Sequence, residues 1–235
     1  MTIDCYTSAG VLDHNDDSFI ALECHDGEGY LVLGIDGKMT ENTVRFDCGD
    51  FILCAVSDGV GSSARGGEAS AMVVSELFYS VERIVDSEDP IESIICAVKT
   101  ISDTVADDLD SSGKATLVGY LGAGDRGYIF NTGDSLAEAS CGRWRYRSLE
   151  HNVRNTRGCL EDHPNARKLT EYIGKRDPRV DVDVSSACDR VVLYSDGAAV
   201  HGSLLDASGS CRDLVEGAVA KGSTDNVTVV TYEKD

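Results

Sequence analysis

Five aspartates stand where an apolar run meets a turn, a placement that suits them to hold a hard cation. Ser-Asp-Gly occurs twice. Phe51-Ile52-Leu53-Cys54-Ala55-Val56 leads into Ser57-Asp58-Gly59, and Val191-Val192-Leu193-Tyr194 leads into Ser195-Asp196-Gly197. Asn15-Asp16-Asp17 directly precedes a run that starts at Ser18. Gly133-Asp134-Ser135 lies between two further runs, and Ser223-Thr224-Asp225-Asn226 directly precedes the last one. A short apolar run stopped by a turn residue predicts a buried strand. Asp17, Asp58, Asp134, Asp196 and Asp225 therefore all fall at predicted strand termini. Carboxylates on rigid strand ends are what a metal site for hard cations needs. Taken singly, each is also an ordinary turn aspartate. The metal reading rests on the set.

The elements that must position these acids can be read from apolar periodicity. Residues 18–24, 30–35 and 51–56 are β-favouring runs separated by glycine and Asp/Asn clusters. Residues 68–85 and 90–109 carry apolar side chains at helical spacing, and Pro90 fits a first helical turn. Strands return at 115–121, 127–131, 135–139 and 144–148, and the short turns between them predict an antiparallel meander. A strand at 190–194, a helix at 212–220 and a strand at 227–232 close the chain. Strands, then helices, then strands predict an α+β fold with helices outside antiparallel sheets. Residues 150–178 lack strong periodicity and carry Arg154, Arg157, Arg167, Lys168, Lys175 and Arg176. This one basic region is either a solvated loop with a short helix or a mobile flap facing a substrate.

Composition narrows the function classes. The 235 residues suffice for a full core, with 42% hydrophobic and 26% charged content as in ordinary globular proteins. Asp and Glu number 41 against 21 Lys and Arg, a formal charge of −20. That field disfavours nucleic acid and anionic membranes and concentrates cations. The nine cysteines include no C-x-x-C pair and sit mostly in apolar stretches, as Cys54 and Cys96 do. The expectation is reduced, buried thiols rather than a disulfide framework or a zinc site. No signal peptide and no apolar stretch of ~20 residues is visible, which points to a cytoplasmic protein.

In order and surroundings, the motifs resemble the metal-dependent serine/threonine protein phosphatases of the 2C type. Asn15-Asp16-Asp17-Ser18 matches that family's opening segment, Asp58-Gly59-Val60-Gly61 its Asp-Gly-x-Gly, and Gly66-Gly67-Glu68-Ala69-Ser70 a helix start. Ala115-Thr116-Leu117, Gly133-Asp134-Ser135, Ser195-Asp196-Gly197 and Asp225-Asn226-Val227-Thr228-Val229-Val230 follow in the family's order. So does 163–170, a stretch like the one before the family's last strands. The resemblance implies one domain over 1–235, two antiparallel sheets packed as a sandwich, and helices on both outer faces. The 150–178 segment is its flap.

The resemblance also implies a two-ion Mn²⁺ or Mg²⁺ centre. In it Asp58 bridges the ions and the Gly59 carbonyl is a ligand. Asp196 and Asp225 hold one ion, while Asp16 and Asp17 serve the other directly or through water. Asp134 matches the place of a third, weaker ion. Asp17, Asp58, Asp196 and Asp225 are then the catalytic acids, and the substrate is a phosphoserine or phosphothreonine protein acted on by a monomer. All-oxygen donors suit Mg²⁺ or Mn²⁺ rather than zinc.

Two departures bear on this. The arginine that the family places before its opening acids falls on Leu12, between Val11 and Asp13, and no Arg or Lys occurs in the first 37 residues. Leu136 stands where the family often continues Gly-Asp-Ser with arginine. Arg65, Arg154 and Arg157 are candidate substitutes from loops, and His14 is a candidate proton donor. Two functions therefore stay open: an active phosphatase, and a degenerate phosphatase-like module that binds a partner without turnover.

Overall fold

Where the apolar runs are unbroken, both faces of the strand are covered. In the computed structural model, which describes residues 2–234, twelve strands follow one another. They are β1 (Thr2–Ser8), β2 (Ser18–His25), β3 (Glu28–Ile35), β4 (Lys38–Arg45), β5 (Phe51–Ser57), β6 (Leu117–Ala123), β7 (Arg126–Thr132), β8 (Leu136–Cys141), β9 (Trp144–Arg147), β10 (Asp181–Ser186), β11 (Arg190–Tyr194) and β12 (Val227–Glu233). Four α-helices intervene: α1 (Gly66–Val85), α2 (Pro90–Asp108), α3 (Val153–Arg157) and α4 (Cys211–Ala220). One antiparallel sheet has the order β1-β12-β11-β8-β9, and the other the order β10-β7-β6-β5-β2-β3-β4.

The two sheets pack face to face. Successive side chains of a strand point to opposite faces, and β5 uses both. Ile52, Cys54 and Val56 join Phe19, Ala21, Val118 and Ile129 against Ala137, Val191, Leu193 and Val230 of the smaller sheet. Leu53 and Ala55 face the other way, onto Val73, Leu77 and Val81 of α1 and Ile94, Val98 and Ile101 of α2. α4 covers the outside of the smaller sheet, packing Leu214, Val215 and Ala218 on Val192, Tyr194 and Val229. The result is the expected helix–sheet–sheet–helix sandwich. Two of its long helices start at side-chain caps: Asp89 Oδ1 accepts from Glu92 N at 3.1 Å ahead of α2, and Ser210 and Asp213 form a reciprocal capping box ahead of α4.

The structure corrects several expectations. The strands of 115–148 do not form one meander. β6 and β7 pair in the larger sheet, β8 and β9 in the smaller, and the chain crosses between sheets at Gly133-Asp134. Three strands lack the expected apolar signal, β1, β4 and β10, and all three are sheet edges. Cys141 at the end of β8 and Cys188 ahead of β11 form a disulfide with Cα atoms 4.2 Å apart, brought together because β8 and β11 are paired neighbours. A sequence separation of 47 gives no hint of it. Cys96 is exposed on α2, while Cys54 is buried as expected. Among the described residues no helix is long and apolar enough to cross a membrane.

Candidate active site

One end of the sandwich collects the predicted acids, because every strand that begins or ends there does so at a crossing or a turn. Asp16 and Asp17 precede β2, Asp58 follows β5, Asp134 marks the crossing from β7 to β8, Asp196 follows β11, and Asp225 lies just before β12. Backbone and side-chain bonds lock these turns together. Asp58 O accepts from Thr116 N at 2.8 Å, and Asp58 N donates to Thr116 Oγ1 at 3.0 Å. Gly59 N donates to Asp16 O at 3.2 Å. Asn226 ties the first loop to the last: its Oδ1 accepts from Asp16 N at 2.8 Å, and its Nδ2 donates to His14 O at 2.9 Å. The two Asp-Gly pairs need their glycines for close approach. A Cβ on Gly59 would lie 2.6 Å from Gly66 O, and one on Gly197 would lie 2.0 Å from Asn226 O.

A cleft of about 570 Å³ opens here, and Asp58, Asp134, Asp196 and Asp225 line it together. Asp17 lies fully buried beside them. Its Oδ2 accepts from Ser195 Oγ and Thr228 Oγ1, each at 2.8 Å, while its Oδ1 has no partner among the described residues. Asp16 is placed differently. Its carboxylate turns into a separate hollow beside Arg65, with His14 Nε2 3.3 Å from its Oδ2, so neither Asp16 Oδ nor His14 joins the other acids. The Asp16 carbonyl is its contribution to the Gly59 loop. The bridging bonds around Gly59 run from Val60 N to Lys114 O and from Thr116 N to Asp58 O, so they do not consume the Gly59 carbonyl.

Crowded carboxylates with few donors hold their protons. Burial pushes Asp17 up to about 7, with the charges of Asp196 and Asp225 adding and the two hydroxyls opposing. Desolvation pushes Asp134 to about 8, aided by Asp196. Asp58 rises well above the carboxylate range through burial and the charge of Asp17. Asp196 opens onto the cleft, yet desolvation and the charge of Asp225 raise it to about 6, with Asp58 and the Arg167 guanidinium opposing. An orphaned buried oxygen and crowded, poorly solvated carboxyls are both relieved by a divalent cation. The all-oxygen donor set fits Mg²⁺ or Mn²⁺. Such a site can activate water and stabilise charge on a phosphoryl group.

Sequence reasoning missed the groups that hold the acids in place. Ser195 and Thr228 orient Asp17. His151 is buried at the crossing, with its Nε2 3.0 Å from Asp181 Oδ2 and its Nδ1 accepting from Gly133 N at 3.3 Å. The basic segment is anchored rather than free. Val153 N donates to Lys168 O and Arg154 N to Ala166 O, each at 2.9 Å, and Ile173 N donates to Ala115 O at 2.7 Å. Of the arginines considered as substitutes, Arg65 pairs with Glu68 at the separate hollow, and Arg154 pairs with Glu161 at 3.3 Å. The cleft is instead lined by Lys114, Arg167 and Lys168.

A family model described as protein phosphatase 2C matches residues 42–227, which include Asp58, Asp134, Asp196 and Asp225 but not Asp16 or Asp17. The fold is similar to a crystal structure of a bacterial serine phosphatase, with a TM-score of 0.75, 20% identity, and coverage of 100% of this chain and 99% of that one. It is also similar to the Mycobacterium tuberculosis serine/threonine phosphatase PstP/Ppp, with a TM-score of 0.72, 20% identity, and 100% and 99% of the two chains covered. The Staphylococcus aureus serine/threonine phosphatase Stp1 matches at a TM-score of 0.71 and 19% identity, over 100% of this chain and 95% of that one. No curated protein sequence matches.

Proposed function

Because the chain belongs to the protein phosphatase 2C family, we propose that it hydrolyses phosphoserine and phosphothreonine in protein substrates with the help of two Mn²⁺ or Mg²⁺ ions. The observation that carries this is the unpartnered, fully buried Oδ1 of Asp17 beside the cleft that Asp58, Asp134, Asp196 and Asp225 line. In this reading Asp58, Asp196, Asp225 and the Gly59 carbonyl hold the ions. Asp17 would serve with the oxygen its two hydroxyl donors leave free, and Asp134 would hold a third, weaker ion. The ions, when bound, supply Lewis-acid activation of water and neutralise phosphate charge. The chain's own work is positional. Thr116 fixes the Asp58 loop, Ser195 and Thr228 orient Asp17, and Asn226 clamps the opening loop against Asp225. Asp16 acts through its carbonyl. The whole of 1–235 is one phosphatase domain, a cytoplasmic monomer with 150–178 as the flap beside its cleft.

The test is hydrolysis of an aryl phosphate and of a phosphoserine peptide, with and without added Mn²⁺, alongside calorimetry. Millimolar Mn²⁺ supports turnover and binds with measurable heat, and chelator removes both. An absence of divalent binding at millimolar ion overturns the reading. The second function, a binding module without turnover, is favoured by Leu12 at the family's arginine place. It predicts Mn²⁺ binding and phosphopeptide capture with no product released.

A further inference from the structure

Three cations face an acid-lined cleft in a protein with a large excess of acids, and among the described residues none of them forms an ion pair. Lys114, Arg167 and Lys168 line the same cleft as Asp58, Asp134, Asp196 and Asp225. Their basic neighbours in the flap are engaged elsewhere. Lys175 Nζ lies 2.8 Å from Glu171, Arg176 Nη1 lies 3.1 Å from Asp103 Oδ1, and Arg179 Nε lies 2.7 Å from Asp181 Oδ1. Among the described residues Lys114, Arg167 and Lys168 make no such pair. Lys114 Nζ lies instead over the Tyr172 ring, 5.1 Å from its centroid, which fixes its direction without cancelling its charge. Their positions are set by the backbone. Lys114 O accepts from Val60 N, tying it to the Asp58 loop, and Lys168 N donates to Asn165 O at 3.0 Å in a turn that lifts Arg167 and Lys168 to the rim.

We infer that Arg167 and Lys168, with Lys114 opposite, form the phosphate-gripping rim of this cleft, doing from the flap what no residue of the first 37 can do. The inference deepens the phosphatase reading and rests on it. Unpaired cations beside carboxylates have two uses. They can neutralise the acids, or they can hold an anion once a divalent cation has neutralised the acids. Divalent ions held by the acids would neutralise them and leave the guanidinium and ammonium groups available for the outer phosphate oxygens. Arg can grip two of those oxygens at once, while Lys acts as a point charge. The substrate oxygens gripped are those that do not face the metals. The rim therefore serves small aryl phosphates and phosphopeptides alike, whereas a flap that reads peptide sequence discriminates between them.

The experiment uses the full chain with Mn²⁺ and the variants Arg167→Ala, Lys168→Ala and the charge reversal Lys168→Glu. Both residues are exposed, so the melting temperature checks only that each variant is folded. Three quantities are read: the KM and kcat for an aryl phosphate, the calorimetric Kd for inorganic phosphate, and the Kd for Mn²⁺. Each alanine variant raises KM and the phosphate Kd about tenfold, the share of one charge-assisted hydrogen bond left after ordering losses. kcat changes less than about threefold, because phosphate charge is present in ground and transition states alike. Mn²⁺ affinity is unchanged or slightly tighter. An unchanged phosphate Kd with markedly tighter Mn²⁺ binding overturns the inference and leaves these groups as neutralisers of Asp196. Mn²⁺-loaded wild type that binds no phosphate also overturns it. Wild type that binds phosphate at the rim without turning substrate over overturns the phosphatase reading instead.

Discussion

β2 and β5 carry acids at both ends, and the two ends behave oppositely. Ser18 pairs with Ser57 at one end and Cys24 with Phe51 at the other. Beyond the first pair lie Asp17 and Asp58; beyond the second lie His25, Asp26 and Asp50. Asp50 is supplied with donors: Asp26 N at 2.9 Å from one oxygen and His25 Nδ1 at 2.6 Å from the other. These hold its carboxyl below the usual range and raise His25. Asp17 and Asp58 are pushed the other way, chiefly by burial, with the charges of Asp196 and Asp225 adding to both and that of Asp17 adding to Asp58. The two groups contain similar residues, and His25, Asp26 and Asp50 even lie close enough to converge on an ion. The difference is solvation. The exposed acids are already satisfied by solvent, an imidazole and a backbone N–H, whereas the buried acids are crowded together and Asp17 Oδ1 is left without a partner among the described residues.

The largest effect expected from breaking this contrast is at Asp58. Asp58→Asn would remove the ligand proposed to be central, and activity should fall by at least a hundredfold, about 3 kcal/mol of barrier. Calorimetric Mn²⁺ binding weakens in parallel, while the melting temperature of the metal-free protein holds or rises, since one mutually repelling carboxyl is gone. Loss of the fold in this variant would show that Asp58 is structural.

The next effect is on stability against pH. The folded-state values of Asp17, Asp134 and Asp196, about 7, 8 and 6, lie above the unfolded value near 4. Between those limits the native state binds more protons than the unfolded chain, so the stability of the metal-free protein falls as pH rises from 4 to 8. Scanning calorimetry with chelator should follow that slope. Mn²⁺ at a hundred times its Kd adds about 2.7 kcal/mol at pH 8, or roughly 5–10 °C, and less at pH 5, where it must displace protons. A flat metal-free profile would mean that these acids are ionised without help.

Much of this architecture was legible in the chain because burial writes itself as apolar periodicity. β5 and β11 read as unbroken apolar runs because they are covered on both faces, and α1 and α2 show their stripes for the same reason. β4 did not, since its sequence Lys38-Met39-Thr40-Glu41-Asn42-Thr43-Val44-Arg45 is almost wholly exposed. An edge strand keeps polar residues that discourage further pairing. The split of the meander at Gly133-Asp134 was also hidden, because a turn between strands looks the same whether or not the second strand changes sheets. Five of the acids, Asp17, Asp58, Asp134, Asp196 and Asp225, could be gathered from their strand-end positions. The placing of Arg167 and Lys168 at the cleft could not, because it depends on hydrogen bonds from Val153 and Arg154 across an irregular segment.

A smaller effect is expected at the opening turn. Leu12 is 39% exposed rather than packed in the core, so Leu12→Arg places its guanidinium in solvent and the melting temperature should move little. If the turn reaches the phosphate, KM for a phosphorylated substrate falls up to about tenfold. An unchanged KM with a folded variant leaves phosphate recognition to the rim. The smallest effect closes the comparison at the other end of β2 and β5. Asp50→Asn should leave the melting temperature nearly unmoved and KM, kcat and Mn²⁺ affinity alone. A loss of Mn²⁺ binding there would make the exposed cluster an ion site after all.

β12 lies between β1 and β11, pairing Val230 with Cys5 on one side and with Leu193 on the other. During synthesis the smaller sheet must therefore wait for its last strand, holding β1 in reserve across more than two hundred residues while the larger sheet is already closing. Pairings of such sequence separation form slowly. Asp225 precedes that strand, and Thr228 within it is one of the two hydroxyls that orient Asp17. A chain still emerging from the ribosome thus has its acids scattered, and the proposed cation pocket would come into being only with the final stitch of the sandwich. The same late step that completes the fold would switch on the chemistry.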